Sequence, residues 1–188
     1  MRPVDPESWP RREIFAFFSG ISNPFYAVTF RLDVTALRRY TKERGLSFYH
    51  SMIWLCTRAL GRVEAFSYAL RECQLVRLES RRPSFTHLKP GSESFRIVTL
   101  PCEGSLEEVC AAAREKAEKQ DYFIDFAGEG IDMIFLSCLP WLDLTALTNE
   151  RDLDPDDAIP RIAWGKFVEE NGRKTLGFPP RLGRRFCV

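Results

Sequence analysis

Asp132-Met133-Ile134-Phe135-Leu136-Ser137-Cys138-Leu139-Pro140-Trp141 is the stretch on which the fold turns. Its apolar core runs for ten residues, Met133 to Leu142, between Asp132 and Asp143. A bilayer span needs roughly 20 apolar residues, so this run is a buried strand that closes in a turn at Pro140. The flanking patterns then set the fold class. Upstream, Ser105 followed three positions later by Glu108 is a capping box that opens a helix running toward Gln120, rich in alanine and charge, expected as a solvated outer layer. Downstream, Arg161 to Val168 and Arg173 to Phe178 form a hairpin around Asn171-Gly172, the sharpest turn signal in the chain.

Farther upstream the elements intermix. Tyr26 to Val34 reads as a strand, and Asp33 and Thr35 offer capping groups for a short helix that Gly45 closes. Ser47 caps a second helix whose apolar positions, Phe48 through Leu60, cover more than one face, so it is expected to be buried. Phe66 to Leu70, Leu75 to Leu78, Ser84 to Leu88 and Glu93 to Leu100 are short strands separated by turns, spaced as antiparallel hairpins. Strands and helices mix without regular βαβ alternation. The pattern predicts an α+β two-layer sandwich, a mixed sheet with helices on one face, in a single domain over 1–188.

Composition excludes several functions. The 27 Lys and Arg against 26 Asp and Glu leave a net charge of +1, which gives no bulk attraction to nucleic acid or an anionic membrane. Met1 to Pro10 lacks the pattern of a signal peptide, and the expectation is a cytoplasmic protein. The six cysteines form no CxxC pair and read as reduced, mostly core thiols; no metal site is expected. The acidic loop Asn149 to Ile159, with Asp152, Asp154, Asp156 and Asp157, lacks the glycine and distal glutamate of a calcium loop and is expected to be solvated.

Trp9-Pro10-Arg11, Leu32-Asp33-Val34-Thr35, Phe48-Tyr49, Phe66 to Leu70, Ser94-Phe95, Ser137-Cys138-Leu139-Pro140-Trp141 and Gly165-Lys166-Phe167, in that order, resemble chloramphenicol acetyltransferase over nearly the whole chain. The resemblance implies a homotrimer with active sites shared between neighbours, and acetyl-CoA as cosubstrate with no bound cofactor. It also implies a histidine as general base on a small hydroxylated acceptor. An alcohol is a poor nucleophile unless a base takes its proton as the bond forms. Ser137 occupies the position of the donor that stabilises the oxyanion. Phe17, Phe18 and Tyr26 fall where the family builds its acceptor pocket, although by composition they are equally core aromatics. Phe18 stands where members that modify chloramphenicol usually carry a tyrosine. Tyr49, Trp141 and Phe167 lie where the coenzyme would be flanked, and core packing accounts for them as well.

The family motif His-His-x-x-x-Asp-Gly is not found in this sequence. Counting from Lys166-Phe167 puts Arg184 near the expected histidines and Val188 near the aspartate that would pair with Arg11. Arginine stays protonated and cannot be the base. His50 and His87 are expected to be structural histidines, each with its hydrogen bonds met. Pro179-Pro180 would interrupt the last strand, and the C-terminal strand and helix are expected to be incomplete. Two functions follow: an antibiotic-modifying type of O-acetyltransferase with impaired catalysis, or a non-catalytic ligand-binding or oligomerisation scaffold.

Overall fold

A computed structural model describes residues 1–149 and 156–186. Its helices are α1 (Arg12–Ser19), α2 (Thr35–Glu43), α3 (Phe48–Leu60) and α4 (Leu106–Lys119). The strands are β1 (Arg2–Pro3), β2 (Phe25–Ala27), β3 (Phe30–Asp33), β4 (Tyr68–Arg71), β5 (Gln74–Arg77), β6 (Arg82–Leu88), β7 (Phe95–Thr99), β8 (Met133–Leu139), β9 (Arg161–Gly165), β10 (Phe167–Glu170), β11 (Arg173–Phe178) and β12 (Arg181–Gly183). A six-stranded sheet runs β2-β12-β9-β8-β6-β7, flanked by the three-stranded sheets β1-β5-β4 and β10-β11-β3. In the large sheet β6, β8 and β9 are parallel, while the outer pairs are antiparallel. The mixed sheet with helices on one face is the α+β architecture the sequence predicts.

The caps expected at Ser47 and Ser105 are made, whereas α2 starts after Val34 with no side-chain cap, Asp33 accepting from the Thr35 amide at 2.9 Å and the Thr35 hydroxyl from the Lys174 amide at 2.8 Å. The Ser47 hydroxyl accepts from the His50 amide at 3.3 Å and starts α3. At α4, Ser105 Oγ accepts from the Glu108 amide at 3.2 Å and the Glu108 carboxylate accepts from the Ser105 amide at 2.8 Å. α4 is more than an outer layer. It buries Leu106, Val109, Cys110, Ala113 and Ala117, a stripe at helical spacing that its abundant charge obscured.

Face assignment follows from register. Phe85, Leu136 and Ile162 are lateral neighbours on β6, β8 and β9, and all join the core with Met52, Ile53 and Cys56 of α3 and Ala113 and Ala117 of α4. Successive strand residues point to opposite faces, so Thr86, Ser137 and Ala163 share the face turned away from these helices. Arg81 joins this sheet to the smaller one. Its buried guanidinium donates to the carbonyls of Phe66, Tyr68, Ile131 and Met133.

Two local expectations change. The strand expected over Tyr26 to Val34 is two strands, because β2 pairs with β12 and β3 with β11 in separate sheets. The strand expected over Arg161 to Val168 breaks at Lys166, whose amide donates to Leu142 O at 2.8 Å instead of to a strand ladder, so the Asn171-Gly172 turn joins β10 to β11. Both turn residues have positive φ, 52° and 76°, as a two-residue hairpin requires. Helix α1 has no side-chain cap to announce it. Pro179-Pro180 does separate β11 from β12.

The acidic loop is anchored where it is described. Asp156 accepts from the Cys73 amide at 2.9 Å, and Asp157 pairs with Arg161 at 3.2 Å. Asp152, Asp154, Cys187 and Val188 lie outside the described residues.

Candidate active site

Ser137 is placed by β8, near its C-terminal end, with its side chain on the face opposite α3. Its Oγ lies 3.5 Å from Thr86 Oγ1 on the neighbouring strand, at the outer limit of a hydrogen bond, so the hydroxyl is available to another acceptor. The Tyr49 hydroxyl donates to the Thr86 carbonyl at 2.6 Å from the helix side. Tyr49 is thus a packing residue behind the site, its ring against Phe85 and Trp164 and its phenol pKa raised, chiefly by burial. Cys138, next to Ser137, has its thiol pushed up to about 12 by burial; it is no nucleophile at neutral pH.

Beyond Ser137 the chain turns at Leu139–Leu142 and runs back across β9 and β11 as a strap, residues 142–144. Glycine is required where it crosses. A Cβ on Gly165 would meet Leu142 O at 2.4 Å, and one on Gly177 would meet Leu144 O at 1.8 Å. Arg31 pins the strap from β3 through two hydrogen bonds to the Asp143 carboxylate, 2.5 and 2.8 Å long, which also hold that carboxyl below its usual range. The strap thereby fixes Trp141 and Phe167 in one region. Trp141 is 65% exposed and Phe167 37% exposed. Phe167 leans edge-on against Phe48 at 6.0 Å, with the Arg38 guanidinium 5.7 Å and the Lys174 ammonium 5.5 Å from its ring centre. Exposed aromatic rings among cations suit a planar base and phosphates. Arg38 and Lys174 carry no motif in the sequence that could have marked them, and neither does Thr86.

The other expected residues gather elsewhere. Phe17, 68% exposed, is no core residue; it stands edge-on to Phe18 at 5.1 Å. The Arg184 guanidinium is 5.3 Å from the ring centres of both Phe18 and Tyr26, and the Arg184 amide donates to Pro24 O at 2.7 Å. Arg11 reaches the same segment, donating to Phe186 O. This cluster lies toward the opposite end of the strands from Ser137. Arg181 is paired with Arg161, two residues from the Ala163 that neighbours Ser137, and Arg184 continues away from it. At about 3.3 Å per residue along a strand and about 4.8 Å between strands, the two groups are on the order of 15–20 Å apart in one chain.

Neither histidine completes the Ser137 side. His87 follows Phe85 by two residues on β6 and so shares the helix face, and His50 sits on α3 with its ring 5.8 Å from Phe85. His50 is not satisfied as expected: its Nδ1 is buried without a hydrogen-bond partner, and burial, with lesser repulsion from His87 and Arg114, lowers its pKa to about 4. Among the described residues no group of three metal-ligating side chains is gathered, and no helix is long and apolar enough to cross a membrane.

Comparison with known proteins shows the family and the fold. The family model described as chloramphenicol acetyltransferase matches residues 1–179. Chloramphenicol acetyltransferase 2 of Escherichia coli is 26% identical over 187 residues, covering 98% of this chain and 88% of the relative. The Bacillus pumilus chloramphenicol acetyltransferase is 26% identical over 184 residues, 96% of this chain and 84% of its own. Among solved structures, a chloramphenicol acetyltransferase superposes with a TM-score of 0.90 at 21% identity, covering 100% of this chain and 92% of that one. A dihydrolipoamide acetyltransferase of Azotobacter vinelandii gives 0.67 at 18% identity, over 90% and 76% of the respective chains.

Proposed function

Because this chain belongs to the chloramphenicol acetyltransferase family, we propose that it is built to move an acetyl group from acetyl-CoA to the hydroxyl of a small acceptor of chloramphenicol type, and that these 188 residues do so slowly. The observation that carries the proposal is Ser137 near the end of β8, half-buried on the face away from the helices, with Trp141 and Phe167 exposed on the segments that follow.

In the reaction the acceptor oxygen attacks the thioester carbonyl carbon, and the carbonyl electron pair moves onto oxygen. Ser137 donates a hydrogen bond to that oxyanion, a contribution of up to about 3 kcal/mol in comparable sites. Collapse of the intermediate expels the thiol. The acceptor proton needs a base as the first bond forms, and neither His50 nor His87 shares a face with Ser137. Loss of general-base catalysis slows such steps by about 10²–10⁴.

The separation of the Phe18–Tyr26 cluster from Ser137 supports a trimer in which the two halves of a site come from neighbouring copies. Acetyl-CoA as donor supports activity in the cytoplasm. Calorimetric titration with CoA tests the reading: binding is expected, weakened about tenfold or more by Trp141→Ala or Phe167→Ala, and absence of CoA binding to the unaltered chain would contradict it. A second reading, ligand binding without turnover, draws support from Arg184, a cation at the aromatic cluster where a base was sought.

A further inference from the structure

We propose that Arg184 makes the Phe18–Tyr26 cluster a receptor for a small organic carboxylate with an aromatic or compact apolar body. The inference rests on reading Phe18 and Tyr26 as ligand-facing. Arg184 is exposed, and its guanidinium lies 5.3 Å from the centres of both rings. Its backbone is fixed to Pro24 O at 2.7 Å, so the side chain starts from an ordered point. Among the described residues no carboxylate pairs with it. Cation–π contact with two rings holds the guanidinium without using its N–H donors.

A carboxylate accepts two parallel N–H bonds from a guanidinium, and a neutral isostere cannot match that. The apolar half of the ligand would meet Phe17, whose ring is 68% exposed and stands against Phe18. One group thus supplies charge recognition and the rings supply apolar area, which together describe a hydroxylated acceptor that also carries a carboxylate.

The test compares 4-hydroxyphenylacetate with 4-hydroxyphenylacetamide, two probes of one shape that differ in charge, by calorimetric titration of the full chain at low ionic strength. The acid is expected to bind at least about tenfold tighter than the amide, about 1.4 kcal/mol. Arg184→Met should erase that preference while keeping the amide affinity, and Arg184→Lys should keep part of it. Equal affinities, no binding of either probe, or a preference that survives Arg184→Met would overturn the proposal. A CoA titration of the same preparations separates the two failures, since CoA binding without acid preference refutes only the role of Arg184.

Discussion

Replacing Gly177 by alanine tests the strap that follows Trp141 across the sheet. The added Cβ would lie 1.8 Å from Leu144 O, 2.8 Å from Leu144 C and 3.2 Å from Leu144 Cα. All three are backbone atoms, so no side-chain rotation relieves the overlap, and the strap must lift by roughly 1 Å or more. Overpacking of this kind costs about 1–3 kcal/mol, and the depth of this clash puts Gly177→Ala at about 3 kcal/mol. Gly165→Ala meets Leu142 O at 2.4 Å and Leu144 N at 2.9 Å, and should cost about 2 kcal/mol by the same mechanism. One lifted strap relieves both clashes, so the double variant should lose less than the sum by at least about 1 kcal/mol. Urea unfolding with unchanged m-values measures all three. A Gly177→Ala loss below about 0.5 kcal/mol, typical of an inert surface site, or full additivity, would refute the crossing. The lift should also displace Trp141 and weaken CoA binding in step.

Other consequences are as direct. His50 has a pKa near 4 in the folded chain against an ordinary 6.5, so the unfolded chain takes up the proton first. Stability should fall by about 2 kcal/mol as pH drops from 6.5 to 4, and His50→Leu should flatten that slope in urea unfolding at stepped pH. Arg81→Met would leave four carbonyls without their donor and should cost at least about 3 kcal/mol by chemical denaturation. Ser105→Ala removes a formed capping box and should cost about 1 kcal/mol, read as a lowered melting temperature.

What the sequence made legible is what neighbouring residues decide. Ser47 and the Ser105–Glu108 pair start helices through contacts three residues long, and Asn171-Gly172 turns a hairpin by its own backbone preference. The buried run of β8 was readable from its apolar length. The breaks at Val28-Thr29 and Lys166 were hidden, because they depend on β11, β12 and Leu142, far away in the chain. α1 was hidden as well, since no side chain caps it. In the site, Ser137 was found through its motif, while its neighbour Thr86 lies 51 residues away on a strand with no chemical signature. Tyr49 was placed with the coenzyme residues but spends its hydroxyl on a strand carbonyl. That preference for packing is invisible until α3 and β6 are brought together.

Ser137 is proposed as the oxyanion donor, and neither histidine, His50 on α3 or His87 on β6, shares its face of the sheet. Thiol release from acetyl-CoA, followed with chloramphenicol and a panel of other hydroxylated acceptors, tests that pairing on this chain. Turnover is expected about 10³-fold below that of the Escherichia coli relative assayed alongside. Turnover equal to that relative would contradict it and would mean that a base reaches Ser137 after all.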